Sequence, residues 1–154
     1  MSRGSVWIVG ILALSLLMAG GLWVWMTSAA QDQRPEFQSI DVDPPVLRFS
    51  GGRVIVQAQV TDDSGLSSVS GSVIQGDSRY RQLPTQVPPP GSREFTYVTE
   101  FPALPNTRND GIAVGYLVRL VAVDSAGQET IGETSFQVAA PPPPPAPPST
   151  SFSP

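Results

Sequence analysis

The sequence predicts an all-β sandwich of about seven strands, set between one amino-terminal transmembrane helix and a disordered proline-rich tail. Three observations carry this. Through the middle of the chain apolar and polar residues alternate with a period of two. Turn-forming residues break that alternation about every 8 to 12 positions, the rhythm of short antiparallel strands. Ahead of all this, Val6 to Met26 runs for 21 residues without a charge.

The charge-free run comes first in the chain. At about 1.5 Å per residue a helix over it covers about 31 Å, matching a hydrocarbon layer of about 30 Å. All three tryptophans lie at its ends, Trp7 on one side and Trp23 and Trp25 on the other, where indole rings favour the membrane interface. Ser28 and Ala30 also satisfy a signal peptidase, with cleavage before Gln31. The run is longer than a usual signal core of about 7 to 15 residues and ends in aromatic residues, which favours a retained anchor. Arg3 precedes the segment, whereas Asp32, Arg34 and Glu36 follow it. The amino terminus is therefore expected in the cytoplasm and the remainder outside the cytoplasmic membrane, single-pass if anchored and secreted if cleaved. With no cysteine in the chain, a thioether-linked lipid is excluded. The expected division is 1–30 anchor or signal peptide, 31–35 linker, 36–140 sandwich and 141–154 tail.

Composition narrows the chemistry. The chain has no cysteine, histidine or lysine, so the exported domain must be held by packing alone, and the commonest metal ligands, proton shuttle and thiolate nucleophile are missing. From Gln31 onward, eight basic residues face thirteen acidic ones, a net charge of −5 that offers nucleic acid no general attraction. No cofactor, metal or small-molecule substrate is expected, and the chain is not expected to be an enzyme.

The strands follow in order. Gln38–Val42 points Ile40 and Val42 inward and stops at Pro44 and Pro45, which suits a sheet edge. Arg53–Thr61 alternates cleanly, with Val54, Val56, Ala58 and Val60 on one face. Thr61–Gly65 is a turn, since Asp and Ser side chains bond their own backbone. Leu66–Gln75 places Val69 and Val73 on one face among serines. The short Arg79–Leu83 sets Tyr80 opposite Arg79 and Arg81 and fits an edge. After Pro88–Gly91, Arg93–Phe101 turns Phe95, Tyr97 and Phe101 inward, and Ala103–Gly111 is a loop. Ala113–Asp124 is apolar on both faces, which marks the centre of a sheet. A tight turn at Asp124–Gly127 leads to Thr130–Val138, with Phe136 and Val138 inward.

Two stretches, VIVQAQVTDDSGLSSV (Val54–Val69) and YLVRLVAVDSAGQET (Tyr116–Thr130), resemble strands of bacterial immunoglobulin-like and fibronectin type III-like domains. The resemblance covers about a third of the exported domain and implies a sandwich fold. The tryptophan and cysteine pair of antibody-type domains is absent, which sets that branch aside, and the fold alone implies no particular function.

Three groups of residues invite a functional reading. Asp62, Asp63, Asp110 and Asp124 lie in or beside loops, where sandwich domains sometimes hold calcium, but their spacing matches no calcium loop and they suit turns. Arg79, Tyr80 and Arg81 form the one local cluster of positive charge with an aromatic ring, a possible partner contact set against the plain role of a charged edge. Pro141–Pro145 is expected as extended polyproline II, a spacer or a ligand for a proline-reading partner. The expected function is a membrane-anchored, extracytoplasmic module of the cell envelope that acts by contact with other envelope or membrane proteins. The alternatives are an accessory subunit whose helix packs through Ala19, Gly20 and Gly21, and a secreted ligand- or carbohydrate-binding domain.

Overall fold

A computed structural model describes residues 32–145, nearly all of them in the compact unit that begins at Gln33. The apolar segment Val6–Met26, with Trp7, Trp23 and Trp25, and the tail beyond Pro145 lie outside the described residues.

Eight strands make up the described domain, with no helix among the described residues: β1 (Glu36–Asp43), β2 (Val46–Leu47), β3 (Gly52–Thr61), β4 (Leu66–Gln75), β5 (Ser78–Gln86), β6 (Glu94–Ala103), β7 (Val114–Asp124) and β8 (Glu129–Val138). They form two sheets, a three-stranded β1-β3-β6 and a five-stranded β2-β8-β7-β4-β5. All neighbours are antiparallel except β2 and β8, which run parallel. Seven of these strands were legible as alternating segments; the two-residue β2 was not.

Alternation decides which side chains the sheets bury between them. Val54, Val56, Ala58 and Val60 of β3 meet Val118, Leu120 and Ala122 of β7, all at most 1% exposed. Leu47 of β2, Leu66, Val69 and Val73 of β4, Leu83 of β5, Tyr97, Phe101 and Ala103 of β6, Tyr116 of β7, and Phe136 and Val138 of β8 complete the core, with Phe37, Ile40 and Val42 of β1 packed against it. Burying side chains of this size stabilises by about 1.5–3 kcal/mol each, which lets a domain without disulfides hold together. β7 lies between β4 and β8, in the central position that its two apolar faces required.

Two irregularities shape the edges. The chain leaves the small sheet after β1 through a cis Asp43–Pro44 peptide and Pro45, and joins the large sheet as β2. Between β4 and β5 the pairing jumps from Val73–Arg81 to Ile74–Arg79, so Tyr80 is the extra residue of a bulge. The bulge lets Tyr80 and Leu83 both turn toward the core although they are three positions apart.

Candidate contact surface

The strand directions give the domain two poles. The chain enters at one, where the ends of β3 and β7 meet the starts of β1, β4, β6 and β8. It leaves at the other, after β8, beside β2, the β2–β3 turn and the β6–β7 loop.

At the entry pole two aspartates close the space between the sheets. Asp62 follows β3 and Asp124 ends β7, each continuing its strand's inward row, and they are 8% and 1% exposed. Asp62 Oδ2 accepts from the Ser64 backbone N–H (3.0 Å), the Ser64 hydroxyl (2.9 Å) and the Gly65 N–H (2.6 Å). Asp124 Oδ1 accepts from the Gln128 N–H at 2.7 Å. Each carboxylate thus caps its own turn, the behaviour that makes Asp a turn residue. The Ser125 N–H donates to the Gly65 carbonyl (2.8 Å), tying the two turns together, and the Gln33 N–H reaches Asp63 Oδ1 at 3.2 Å. Among the described residues no three metal-ligating side chains gather into one group, at this pole or elsewhere.

The tail pole is organised by one buried amide. Asn106, 4% exposed, donates from Nδ2 to the carbonyls of Ile112 (2.8 Å) and Ala139 (3.1 Å), while its Oδ1 accepts from the Arg108 N–H (3.0 Å). Its own N–H donates to the Phe49 carbonyl at 2.8 Å, and the Ala139 N–H donates to Leu47 at 2.9 Å. One side chain therefore fixes the β6–β7 loop and the exit of the tail, while its backbone holds the β2–β3 turn. Around it Val46, Phe49, Leu104 and Ile112 stand 44–59% exposed, and Pro141–Pro144 run along a groove walled by Arg108–Gly111. Arg108 Nε donates to Asp110 Oδ2 at 2.9 Å, and this bond, helped by the Ile112 N–H, holds the Asp110 carboxyl below its ordinary pKa. The pole presents these apolar side chains with the Arg108–Asp110 ion pair beside them and Arg48 exposed next to Phe49. In the sequence Asn106 reads only as a loop residue; beside its local bonds to Ile112 and Arg108, its bonds to Ala139 and Phe49 reach 33 and more positions away, which no local pattern shows.

The triplet Arg79-Tyr80-Arg81 is divided. Tyr80 stacks edge-on against Tyr116 (5.1 Å between centroids), which lies flat on Phe136 (4.9 Å, 9°), and the Tyr80 hydroxyl accepts from the Leu104 N–H at 3.2 Å. Arg79 stays exposed on the edge of the large sheet, and the Arg81 guanidinium sits 6.0 Å over the Phe101 ring, a cation–π geometry. Burial raises the Tyr116 hydroxyl and pushes Tyr97, whose O–H donates to the Pro84 carbonyl at 2.9 Å, up to about 12.

The outer face of the large sheet departs from the usual polar pattern of a solvated antiparallel sheet. Leu117, Val121 and Val123 of β7 and Ile74 of β4 are half-buried there, Ile131 of β8 is 59% exposed, and Arg119 Nε donates to Glu133 Oε1 at 2.6 Å in their midst.

These features define a small two-sheet all-β domain with a carboxylate-capped entry pole and an apolar tail pole. The sequence matches no family model and no curated protein. Among solved structures it is similar to the sporulation control protein Spo0M from Bacillus subtilis, at 14% identity over 71% of this chain and 51% of that one (TM-score 0.46). The chain thus spans about half the length of that protein. It is also similar to a Niemann-Pick type C2 protein from the Japanese carpenter ant, at 11% identity over 71% of this chain and 95% of that one (TM-score 0.41). A putative late embryogenesis abundant protein matches at 12% identity over 88% and 89% of the respective chains (TM-score 0.37).

Proposed function

We propose that this protein is a membrane-anchored, extracytoplasmic contact module with an immunoglobulin-like or fibronectin type III-like sandwich, which meets a partner protein of the cell envelope through its tail pole. The strand order supports the finer fold reading. With β1, β3 and β6 as strands A, B and E, and β4, β5, β7 and β8 as C, C′, F and G, the two sheets follow the arrangement of such sandwiches.

One observation carries the function: the chain enters at one pole and leaves at the other, and four exposed large apolar residues gather at the exit. A domain tethered through its first strand has the tail pole as its free end. A pinned cap of exposed apolar side chains, with a proline ridge and the Arg108–Asp110 pair beside it, has the chemistry of an apolar interface core with a polar rim. The mode of action is contact rather than catalysis.

The reading is tested by expressing the full chain in a bacterium, extracting the membranes with carbonate, and treating intact spheroplasts with protease. A full-length mass in the carbonate-resistant fraction, with the domain digested from outside, is expected. A soluble product beginning at Gln31 would replace the anchor with a secreted domain. For the tail pole, Phe49→Ser with Ile112→Ser should abolish crosslinking to the envelope partner while the fold is retained; unchanged crosslinking would remove this pole from the reading.

A further inference from the structure

We propose that the entry pole binds one calcium ion between Asp62 and Asp124. Each carboxylate uses one oxygen for its own turn: Asp62 Oδ2 accepts from the Ser64 and Gly65 N–H groups, and Asp124 Oδ1 from that of Gln128. The other oxygen of each, Asp62 Oδ1 and Asp124 Oδ2, is buried and has no hydrogen-bond partner among the described residues. Turn formation accounts for the first pair of oxygens and leaves the second pair without a role. Buried charges are normally paired or coordinate metals, and two acids at one pole also repel. The ion pairs among the described residues, Arg53–Glu100, Arg108–Asp110 and Arg119–Glu133, include neither aspartate. Arg34 and Arg93 line a hollow beside Asp62 but stay exposed. The positive charge that the site calls for is therefore that of a small cation.

The two side chains project into the same space. Asp62 continues the inward row Val54, Val56, Ala58 and Val60, and Asp124 the inward row Val118, Leu120 and Ala122. With β3 and β7 in the B and F places, the two strands face each other across the sandwich, an arrangement that depends on the finer fold reading, unlike the burial and the turn bonds. The Ser125 N–H to Gly65 carbonyl bond of 2.8 Å joins their two turns. Sheets about 10 Å apart bring two facing carboxylates to within about 4 Å, a span that one ion with oxygens at about 2.4 Å bridges.

The ligands decide which ion. In a chain without cysteine or histidine they are all hard oxygens, which select calcium or magnesium over transition metals. Magnesium demands a strict octahedron and keeps several of its waters, so a buried site suits it poorly. Calcium accepts irregular oxygen sets, backbone carbonyls included, and both turns offer carbonyls to complete the two carboxylates. With so few charged ligands the expected dissociation constant is on the order of 10⁻⁴ to 10⁻³ M, the range of extracellular modules.

The test is thermal unfolding of the full chain in detergent, stripped with a chelator and followed by circular dichroism as calcium chloride is added. At about ten times the dissociation constant the Tm should stand about 5 °C above that of the stripped protein. Asp62→Asn and Asp124→Asn each retain an oxygen for the turn bonds, and in each the rise should disappear. Asp63→Asn, on the exposed neighbour, should keep it. In amide NMR of wild type, Ser64, Gly65 and Gln128 should shift together and saturate with calcium while Arg108, at the other pole, stays in place. This readout decides the matter even where a variant fails to fold. A Tm that calcium leaves unmoved, a rise equalled by sodium chloride at the same ionic strength, a rise that survives in both single variants, or unshifted entry-pole amides would overturn the proposal. Each result is independent of the anchor and of the tail pole, so failure of the proposed function and failure of the calcium site are told apart.

Discussion

The two poles of the sandwich seal the same core by opposite means. At the entry pole, the Asp62 and Asp124 carboxylates bond backbone groups two to four residues away, each within its own turn, and backbone bonds such as Ser125 N–H to the Gly65 carbonyl link the turns. At the tail pole, Asn106 bonds Phe49, Ile112 and Ala139, joining segments that only the finished fold brings together. A local cap fails alone, whereas a shared pin fails for three segments at once. Damage at the tail pole should therefore cost more than similar damage at the entry pole.

The sharpest way to break this contrast is a pair of glycines, one at each pole. Gly51 has φ +75°, and a Cβ there would lie 2.4 Å from the Ala103 carbonyl oxygen and 2.9 Å from the Leu104 carbonyl carbon, both backbone. Gly51→Ala should cost about 3 kcal/mol, combining left-handed backbone strain with a forced shift of the β6–β7 loop. Urea unfolding followed by circular dichroism measures this, since the domain itself contains no tryptophan. Next in size, Asn106→Ala leaves two carbonyls and an N–H without their partner and should cost about 2 kcal/mol. Amide exchange should then rise at Arg108 and, less strongly, at Ala139, while the Ser64 and Gly65 amides stay protected. Gly127, in the entry-pole turn, has φ +85° but open space around its Cβ position, so Gly127→Ala should cost only about 1 kcal/mol, the strain alone. Equal losses at Gly51 and Gly127 would erase the distinction.

The smallest effect is electrostatic. Asp110 titrates below the ordinary carboxylate value because Arg108 and the Ile112 N–H bond its charged form. A carboxyl lowered in the folded state adds stability above its unfolded pKa of about 4, and that contribution is lost as pH falls through the lowered folded value. Both side chains are well exposed, so the change in stability is slight. Carboxyl NMR should show Asp110 titrating lower in wild type than in Arg108→Gln, with the tail-pole resonances moving alongside.

The same contrast explains what the sequence disclosed. Alternation revealed the inward rows of β3, β6 and β8, because a strand's neighbours in sequence already state which face is buried, whereas β7, apolar on both faces, disclosed its central place but not its buried side. The turns at Asp62–Gly65 and Asp124–Gly127 were legible for the same reason, their hydrogen bonds being local. β2 escaped notice because two residues carry no period, and its existence depends on β8, more than 80 positions later. The bulge at Tyr80 was equally hidden: alternation sets Tyr80 opposite both Arg79 and Arg81, whereas the extra residue leaves Arg81 in register with inward Val73, on the same side as Tyr80 and Leu83. Asn106 read as punctuation because an amide's partners are set by tertiary structure.

The parallel pair β2 and β8 has a mechanical consequence. β2 is tied through β1 to the chain's entry, and β8 leads directly to its exit. Tension between the two ends would draw these strands in opposite directions along their length. Their bonds, Gln137 N–H to Pro45 and Ala139 N–H to Leu47 among them, would be strained together in shear instead of parting one at a time. The shortest strand of the domain would thus act as a latch against a pull.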